Sequence, residues 1–344
     1  MSRLNVAGFA EKVGLRLLEG ETVYGSREAG VIRVRLEVPG EAFIVHSREG
    51  ALIASSPEIV GRELDSLSMS PARLVAGYLK QLEQGSLPVV FVHVLRGSQG
   101  YRLDVALQEF GFDLKKQFLR VAYAGGAGEK HADAQPHVVN AQVSELSGGE
   151  KTLVVADTIA TGRTLIQALS LTLDVAGFQG AQLERAVIYG FISEQGARAV
   201  GEFLEKRGVA PFFFAIQDYA ALASNNYDMP LYGPDIGPAG VDAGKTIAGV
   251  TTPEAFKAMA LEYFPGMDQP GDWSERQCLL FNGFGYERGR IGEHLGRSLK
   301  SLEELRGAVL KASWYERWLE EVYERRKKGL ERAMEVDACS PEEG

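Results

Sequence analysis

The chain has 344 residues, of which 45% are hydrophobic and 24% charged, and its formal net charge is −9. This is the composition of a folded protein that can bury a sizeable core in one large or two modest domains. The acidic balance argues against a nucleic-acid partner. Because no apolar run approaches about 18 residues and the N-terminus is too polar for a secretory signal, we expect a cytoplasmic protein without a membrane partner.

The chain contains two cysteines, Cys278 and Cys339, which lie far apart in the sequence. Neither has metal-ligating neighbours at a useful spacing. The simplest interpretation is a protein of a reducing, cytosolic compartment.

The N-terminal quarter of the chain mixes helix and strand signals. An amphipathic helix is predicted over 4–18. Alternating apolar and polar residues predict strands over 31–37 and 42–54, with a turn at 49–50. The Ser-Pro pair at 70–71 predicts the start of a further helix, because proline fits the first turn of a helix.

From about residue 86 onwards, apolar runs alternate with helical stretches. Strands are predicted over 88–95, 118–123, 137–143, 152–156, 183–191 and 212–216, and helices over 99–110, 163–176 and 194–207. Because several of these strands are apolar on both faces, we predict an α/β fold in which helices flank a parallel, twisted sheet. Ligands of such sheets bind beyond the carboxyl ends of the strands.

Strand signals fade after about residue 236. Residues 236–251 are rich in Gly, Pro and Ala and are predicted to form a linker or an ordered loop. A helix is predicted over 252–264 and two more over 301–335, with Ser301 and Glu304 at the spacing of a capping box. The predicted domains are an N-terminal strand and helix extension (1–85), a core (86–236) and a mainly helical C-terminal extension (237–344).

Residues 152–168 predict a strand, a loop and a helix that together bind a sugar phosphate. Asp157 follows the strand, and Thr161, Gly162 and Thr164 open the helix. The first amides of a helix lack internal partners and lie at the positive end of its dipole, so they suit a phosphate. A carboxylate beside them can accept hydrogen bonds from sugar hydroxyls. The alternative is an ordinary tight turn capped by Thr161.

The segment VADTIATGRT resembles the phosphoribosyl-pyrophosphate (PRPP) motif of type I phosphoribosyltransferases, in which two acidic positions and three variable residues precede T-G-x-T. Asp157 matches the second acidic position, whereas Ala156 replaces the first. Ala160 stands where uracil enzymes have alanine. The resemblance implies that Asp157 is catalytic. It also implies that PRPP is bound by Asp157, Thr158, Ala160, Thr161, Gly162, Arg163 and Thr164.

A second segment, LRGSQG at 95–100, resembles the LRAGLG segment that binds pyrophosphate in uracil phosphoribosyltransferases. The resemblance implies that Arg96, Gly97 and Ser98 also bind PRPP, and that Arg96 is catalytic. A guanidinium offers a two-pronged donor, and consecutive glycine-rich amides can face an anion. The alternative is that Arg96 merely pairs with a surface carboxylate.

A third segment, AIQDYAALASNNYDMPLYGPD at 215–235, resembles the stretch that follows the last core strand of uracil enzymes. The resemblance implies that Asp235 is catalytic and meets the metal indirectly, through the pyrophosphate. It also implies a base-binding set of Tyr227, Met229, Leu231, Tyr232 and Gly233. The alternative is a turn-rich loop without a ligand.

Residues 124–137 are the predicted lid over the site, because their glycines permit hinging. Lys130 and His131 could reach the pyrophosphate, and Lys130 is included among the catalytic residues. The alternative is a solvated, flexible loop.

Together the resemblances, which cover about 86–236, imply a Mg²⁺-dependent homodimeric phosphoribosyltransferase. It would transfer 5-phosphoribose from PRPP to a pyrimidine-like or other heterocyclic nitrogen acceptor and release pyrophosphate. Two other hypotheses keep the pocket without turnover. One is a PRPP- or nucleotide-sensing regulator, which Ala156 favours, and the other is a subunit of a larger assembly.

Overall fold

A central β-sheet runs through the protein, and helices pack on both of its faces. The computed structural model describes residues 5–82, 88–123, 135–146 and 148–340. The strands are β1 (Arg16–Leu17), β2 (Gly20–Gly25), β3 (Gly30–Val34), β4 (Glu41–His46), β5 (Val89–Leu95), β6 (Leu114–Tyr123), β7 (Pro136–Gln142), β8 (Gly149–Ala156), β9 (Ala181–Ser193), β10 (Ala210–Ala220), β11 (Tyr232–Gly237), β12 (Gly240–Ala248), β13 (Val250–Thr251), β14 (Leu280–Phe281) and β15 (Tyr286–Glu287). The helices are α1 (Val6–Val13), α2 (Arg48–Ser55), α3 (Gly61–Leu82), α4 (Leu103–Glu109), α5 (Arg163–Phe178), α6 (Glu194–Lys206), α7 (Pro253–Met259), α8 (Ile291–Val309) and α9 (Trp318–Met334), and a 3₁₀ turn spans Ser98–Tyr101.

The main sheet has the strand order β2-β3-β4-β10-β9-β8-β5-β6-β7. The strands from β4 to β6 are parallel, and the outer strands β2, β3 and β7 are antiparallel to their neighbours. Its central unit, β6-β5-β8-β9-β10, is a doubly wound arrangement whose direction of winding reverses between β5 and β8. The predicted fold class is therefore confirmed, and the reversal between β5 and β8 marks where a ligand is expected.

Alternate residues of the central strands face opposite sides of the sheet, and both sides are buried. Phe91 of β5 and Val154 of β8 belong to one hydrophobic core, whereas Val92 and Val155 belong to a second core. Both cores exclude water, which explains why these strands are continuous apolar runs in the sequence.

The N-terminal strands extend the same sheet. Strand β4 pairs in parallel with β10, and Phe214 lies opposite Phe43 in the register. One core contains side chains from all three predicted domains, including Phe43, Phe91 and Phe264. The division at 85 and 236 stays a prediction.

Two N-terminal predictions are wrong in detail. The helix predicted over 4–18 ends at Val13, because Gly14 adopts a left-handed conformation (φ 74°) and closes it. The strand predicted over 42–54 ends at His46, and the predicted turn at 49–50 lies inside α2, whose first turn is capped by the Ser47 side chain. Strand β4 followed by helix α2 gives the same apolar pattern over 42–54 as one long strand.

Helix starts were also misplaced where a capping pattern occurred by chance. Helix α3 begins at Gly61 and continues through Pro71, and α8 begins at Ile291, so Ser301 lies within it. Burial of one face of each helix overrides the local start signal.

The segment 236–251, predicted to be a linker or a loop, contains most of a β-hairpin. Strands β11 and β12 pair antiparallel, with Ile236 opposite Val241. Most of β12 is exposed, so its sequence lacks the apolar alternation by which strands are recognised. Beyond it, α7, α8 and α9 confirm the helical C-terminal region.

The two cysteines form a disulfide bond, with Cα atoms 5.6 Å apart. It joins the C-terminal tail to the segment before β14. The bond is unexpected for the reducing compartment that the sequence indicates, because disulfides are rare there, and the compartment stays a prediction. Among the described helices, none has the length and apolar character needed to cross a bilayer.

Candidate active site

A pocket of about 330 Å³ opens beyond the carboxyl ends of β5 and β8, at the point where the winding of the sheet reverses. This volume is within the range of small-molecule sites. The lining residues are 94–97, Tyr123, 157–165, Asn226, Tyr227, Asp268 and 270–275.

The N-terminus of α5 faces this pocket. Gly162 precedes the helix in a left-handed conformation (φ 77°), and within the described residues no side chain caps the helix at that position. A Cβ built on Gly162 would lie 2.9 Å from Cγ2 of Val200, so glycine is required both for conformation and for space. The first amides of α5 therefore lie where an anion could accept hydrogen bonds from them, and the binding of a phosphate there stays a prediction.

Two threonines that line the pocket, one before α5 and one in its first turn, are positioned by tyrosines. The Thr158 hydroxyl hydrogen-bonds with the Tyr101 hydroxyl, and the Thr164 hydroxyl lies 2.8 Å from the hydroxyl of Tyr123. Thr161 accepts a long hydrogen bond, 3.5 Å, from the amide of Arg163. Thr158, Ala160, Thr161, Gly162, Arg163 and Thr164 all line the pocket.

Asp157 lies at the end of β8 and also lines the pocket. Burial raises the pKa of its carboxyl group to about 7, although the amide of Thr158 donates to Oδ1 at 2.8 Å and partly opposes the shift. Ala156, which replaces the first acid of the motif, is fully buried in the core. Of the two acidic positions of the motif, only the second, Asp157, therefore provides a carboxyl group at this pocket.

Arg96 lines the pocket at the end of β5, after a cis peptide bond with Leu95. Its two terminal nitrogens donate to Glu287 at 2.5 Å and to Glu275 at 2.6 Å. Arg96 is therefore paired with carboxylates of the C-terminal region, one of which, Glu275, is buried rather than at the surface, and its role toward PRPP stays a prediction.

Gly97 lines the pocket beside Arg96, but Ser98 does not. Ser98 is buried, and its hydroxyl lies 3.3 Å from Nδ1 of His93. Burial lowers the pKa of His93 to about 4, so this core histidine is neutral at physiological pH. The predicted contribution of Ser98 to PRPP binding stays a prediction and would have to come from its backbone amide, because the hydroxyl is turned towards His93.

Of the predicted base-binding residues, Tyr227 lines the pocket and the others do not. Met229, Leu231 and Tyr232 are fully buried core residues. Gly233 packs against the backbone of Gly266, where a Cβ would lie 2.2 Å from the amide nitrogen. These side chains belong to the core between the C-terminal region and the sheet, and base binding by this segment stays a prediction.

Asp235 also lies outside the pocket lining. Its carboxylate accepts hydrogen bonds from the amide and hydroxyl of Ser224 and pairs with Lys245 at 2.6 Å. The role of Asp235 opposite the pyrophosphate and the metal stays a prediction, and in this structure the carboxylate is held by donors of the protein. Lys130 and His131 lie outside the described residues, as does most of the predicted lid.

One wall of the pocket comes from residues 268–275, which sequence reasoning missed. Trp273 is 4% exposed and stacks on Tyr101 with ring centroids 4.5 Å apart. Burial, together with the charges of Asp228 and Asp272, raises the pKa of Asp268 well above its ordinary value. A tryptophan among Asp, Gly and Pro residues was the one available signal, but nothing in the sequence places it beside β5.

A buried arginine anchors this wall. Arg276 is fully buried, and its guanidinium donates to backbone carbonyls of the wall, of the last turn of α2 and of the segment after α2. The accepting residues are Ile53, Ser56, Ile59, Gln269 and Pro270. Burial lowers the pKa of Arg276 to about 10, so it remains charged at neutral pH.

Comparison with known proteins gives structural matches only. No protein-family model matches the chain, and no curated protein sequence does either. A hypoxanthine phosphoribosyltransferase from Staphylococcus aureus is 17% identical, with a TM-score of 0.27, over 39% of this chain and 66% of that chain. A hypoxanthine-guanine phosphoribosyltransferase from Bacillus anthracis is 16% identical, with a TM-score of 0.27, over 38% of this chain and 72% of that one.

An adenine phosphoribosyltransferase from Trypanosoma brucei, solved with AMP, pyrophosphate and ribose-5-phosphate, is 14% identical over 55% of this chain and 86% of that chain, with a TM-score of 0.36. All three are solved structures of phosphoribosyltransferases.

Proposed function

We propose that this protein is a Mg²⁺-dependent phosphoribosyltransferase, which transfers 5-phosphoribose from PRPP to a pyrimidine-like or other heterocyclic nitrogen acceptor and releases pyrophosphate. The observation that carries the proposal is one pocket, at the winding reversal of the sheet, that combines the N-terminus of α5 with the carboxyl group of Asp157.

In this proposal the 5′-phosphate lies against the first amides of α5. Gly162 allows close approach, and Thr161 and Thr164 border the seat. Asp157 then accepts hydrogen bonds from the ribose hydroxyls. Because those bonds favour the ionised carboxylate, ligand binding lowers the raised pKa of Asp157. Fixing the sugar at both points orients C1′ for attack.

The acceptor is assigned to the other side of the pocket. Tyr227, which is 48% exposed, supplies aromatic surface there, and flat heterocycles bind well against such surface, whereas the mostly buried Trp273 forms the wall behind it. Trp273 is held between Tyr101 and Phe191, so this wall is rigid.

Mg²⁺ is part of the proposal because PRPP carries a pyrophosphate. Within the described residues no group of three or more His, Cys, Asp or Glu side chains could hold a metal. This fits Mg²⁺, which is usually held by one or two carboxylates together with substrate phosphates. Asp157 is the carboxylate that would hold it, and the ion would neutralise charge on the departing pyrophosphate.

The proposal also includes a homodimer that works in nucleotide metabolism in the cytoplasm, where PRPP is used. The bond between Cys278 and Cys339 weighs against a reducing compartment. Sedimentation of the purified protein tests the dimer, and thiol labelling in intact cells tests the compartment.

A PRPP- or nucleotide-sensing regulator is the second candidate, and two observations favour it. Arg96 is already held by Glu275 and Glu287, and Ala156 leaves Asp157 without an acidic neighbour in the motif. Such a protein would bind PRPP but would not turn it over.

The test is pyrophosphate release from PRPP and Mg²⁺ in the presence of a panel of purine and pyrimidine bases. We expect turnover with at least one base, and a loss of roughly 100-fold in kcat/KM for Asp157→Asn, because the ribose is no longer held by a charged group. Asp174→Asn, an exposed residue of α5 that pairs with Arg207, is the matched control. Tight PRPP binding without turnover would contradict the transferase proposal and support the sensing regulator. Absence of binding would remove both candidates.

A further inference from the structure

Both terminal nitrogens of Arg96 are bound by carboxylates of the protein itself. Nη1 donates to Oε1 of Glu287 at 2.5 Å, and Nη2 donates to Oε1 of Glu275 at 2.6 Å. The two glutamates come from the C-terminal region, outside the stretch that resembles phosphoribosyltransferases. They occupy the guanidinium as an anionic ligand would.

Glu275 is a fixed negative charge. Its side chain is 6% exposed, and it accepts hydrogen bonds from the amide of Arg290 at 2.8 Å and from Nη2 of Arg290 at 3.0 Å. Burial opposes ionisation, but these hydrogen bonds and the charge of Arg96 outweigh it and lower the pKa of Glu275. Glu275 therefore remains ionised at neutral pH and lines the pocket.

Glu287 is the more exposed partner, with a side chain that is 36% exposed on the short strand β15. Besides Arg96 it accepts a hydrogen bond from the Asn282 amide at 2.9 Å. The hydrogen bonds from Arg96 and Asn282 lower the pKa of Glu287. Its carboxylate can be neutralised with little effect on packing.

The two ends of the pocket therefore differ in charge. At the Arg96 end, two arginines (Arg96 and Arg290) meet two carboxylates (Glu275 and Glu287), so the cluster has no net positive charge. At the α5 end, the helix presents the positive pole of its dipole. A single phosphate suits the α5 end, whereas a pyrophosphate at the Arg96 end has to displace one carboxylate and lie beside the other.

We propose that Glu275 and Glu287 determine the ligand selectivity of this pocket: by holding Arg96 they favour ligands that carry only a 5′-phosphate, such as ribose 5-phosphate or a nucleoside 5′-monophosphate, over ligands with a pyrophosphate at C1′. This inference depends on the proposed function, because it assigns the Arg96 end to the pyrophosphate. Glu287 is a positioning residue, since it acts through Arg96.

Titration calorimetry with ribose 5-phosphate, and with PRPP and Mg²⁺, tests the inference on wild type and Glu287→Gln. We expect the variant to bind PRPP roughly three- to tenfold more tightly, because one competing charge is gone, and to bind ribose 5-phosphate unchanged. Glu303→Gln is the matched control, because it removes a similar ion pair between Glu303 of α8 and Lys327 of α9. Glu287→Asp keeps the charge with a shorter reach and should resemble wild type more than Glu287→Gln does.

Two results would contradict different parts of the argument. Equal PRPP affinity in wild type and Glu287→Gln, with ribose 5-phosphate still bound, would overturn the selectivity role and leave the proposed function standing. If neither ligand bound to any of the folded proteins, the pocket would not be a sugar-phosphate site, and the proposed function would fail first.

Discussion

Two aspartates near the carboxyl edge of the sheet show how burial controls the charge of a site. Burial raises the pKa of Asp157 and of Asp218 to about 7, and a single hydrogen bond to each carboxyl group opposes the shift. Asp157 faces the pocket, where a ligand can stabilise its charge. Asp218 is 2% exposed, accepts from the Gln269 amide at 2.9 Å, and its Oδ2 has no partner among the described residues. The raised pKa of Asp218 therefore affects the stability of the folded protein and not the charge of the pocket.

Replacing Asp218 by asparagine should make stability less dependent on pH. The folded protein keeps a proton on Asp218 up to a pKa of about 7, whereas the unfolded chain releases it near 3.8. Wild-type stability is therefore favoured at low pH and is lost as pH rises through 7. Between about pH 5 and pH 8 we expect the free energy of unfolding to fall by roughly 2 kcal/mol more in wild type than in Asp218→Asn. This follows from the value of about 1.36 kcal/mol for each unit of pKa shift.

Urea unfolding of the two proteins at both pH values measures this difference. The exposed Asp113→Asn substitution is the control for a general effect of charge. Parallel pH profiles for wild type and Asp218→Asn would show that Asp218 ionises normally in the folded protein.

At the scale of elements, the wall formed by residues 268–275 is placed by tertiary contacts rather than by a regular helix or strand. Arg276 ties it to the segment between α2 and α3, and Trp273 packs on Tyr101 beyond β5. The wall in turn brings Glu275 to Arg96. Its position therefore couples the N-terminal region, the core and the C-terminal region at the pocket.

Removing the Arg276 guanidinium should destabilise the protein strongly. In Arg276→Met the carbonyl groups of residues such as Ile59 and Pro270 lose their donors while they remain buried. We expect a loss of at least about 3 kcal/mol in the free energy of unfolding, because each buried unsatisfied acceptor is costly. Urea unfolding measures it, with the exposed Arg288→Met as the control. A loss below about 1 kcal/mol would mean that water or rearrangement satisfies these carbonyls.

At the scale of the whole molecule, the bond between Cys278 and Cys339 closes a long stretch of chain, with a sequence separation of 61 residues. The closed stretch contains the β14–β15 hairpin, α8 and α9. The bond therefore restricts the unfolded chain over much of the C-terminal region.

Reduction of this disulfide should lower stability by up to about 4 kcal/mol, the chain-entropy value for a loop of this length. The measurement is urea unfolding with and without a phosphine reductant. A Cys278→Ser, Cys339→Ser variant should be as unstable as the reduced wild type and insensitive to the reductant. If reductant left wild type unchanged, either the bond would be absent in solution or the C-terminal tail would contribute little to stability.

The sequence by itself determined the central sheet and the glycine-led start of α5, because both depend on local patterns. Doubly buried strands are continuous apolar runs, and the T-G-x-T segment after β8 combines a left-handed glycine with the start of a helix. The parallel pairing of β5, β8 and β9 agrees with the alternation of strands and helices, whereas the order of the strands is seen only in the structure. These features need few long-range contacts to be recognised.

Only the tertiary structure decided which distant residues complete the pocket. Glu275 forms an ion pair with Arg96, which is 179 residues earlier in the sequence. Glu287 also pairs with Arg96, at a sequence separation of 191. Trp273 lines the same pocket. The same packing buries Tyr232 and Asp235, which are not among the residues that line the pocket. Contacts between remote segments depend on shape and charge complementarity over the whole fold, and no local pattern of residue types records them.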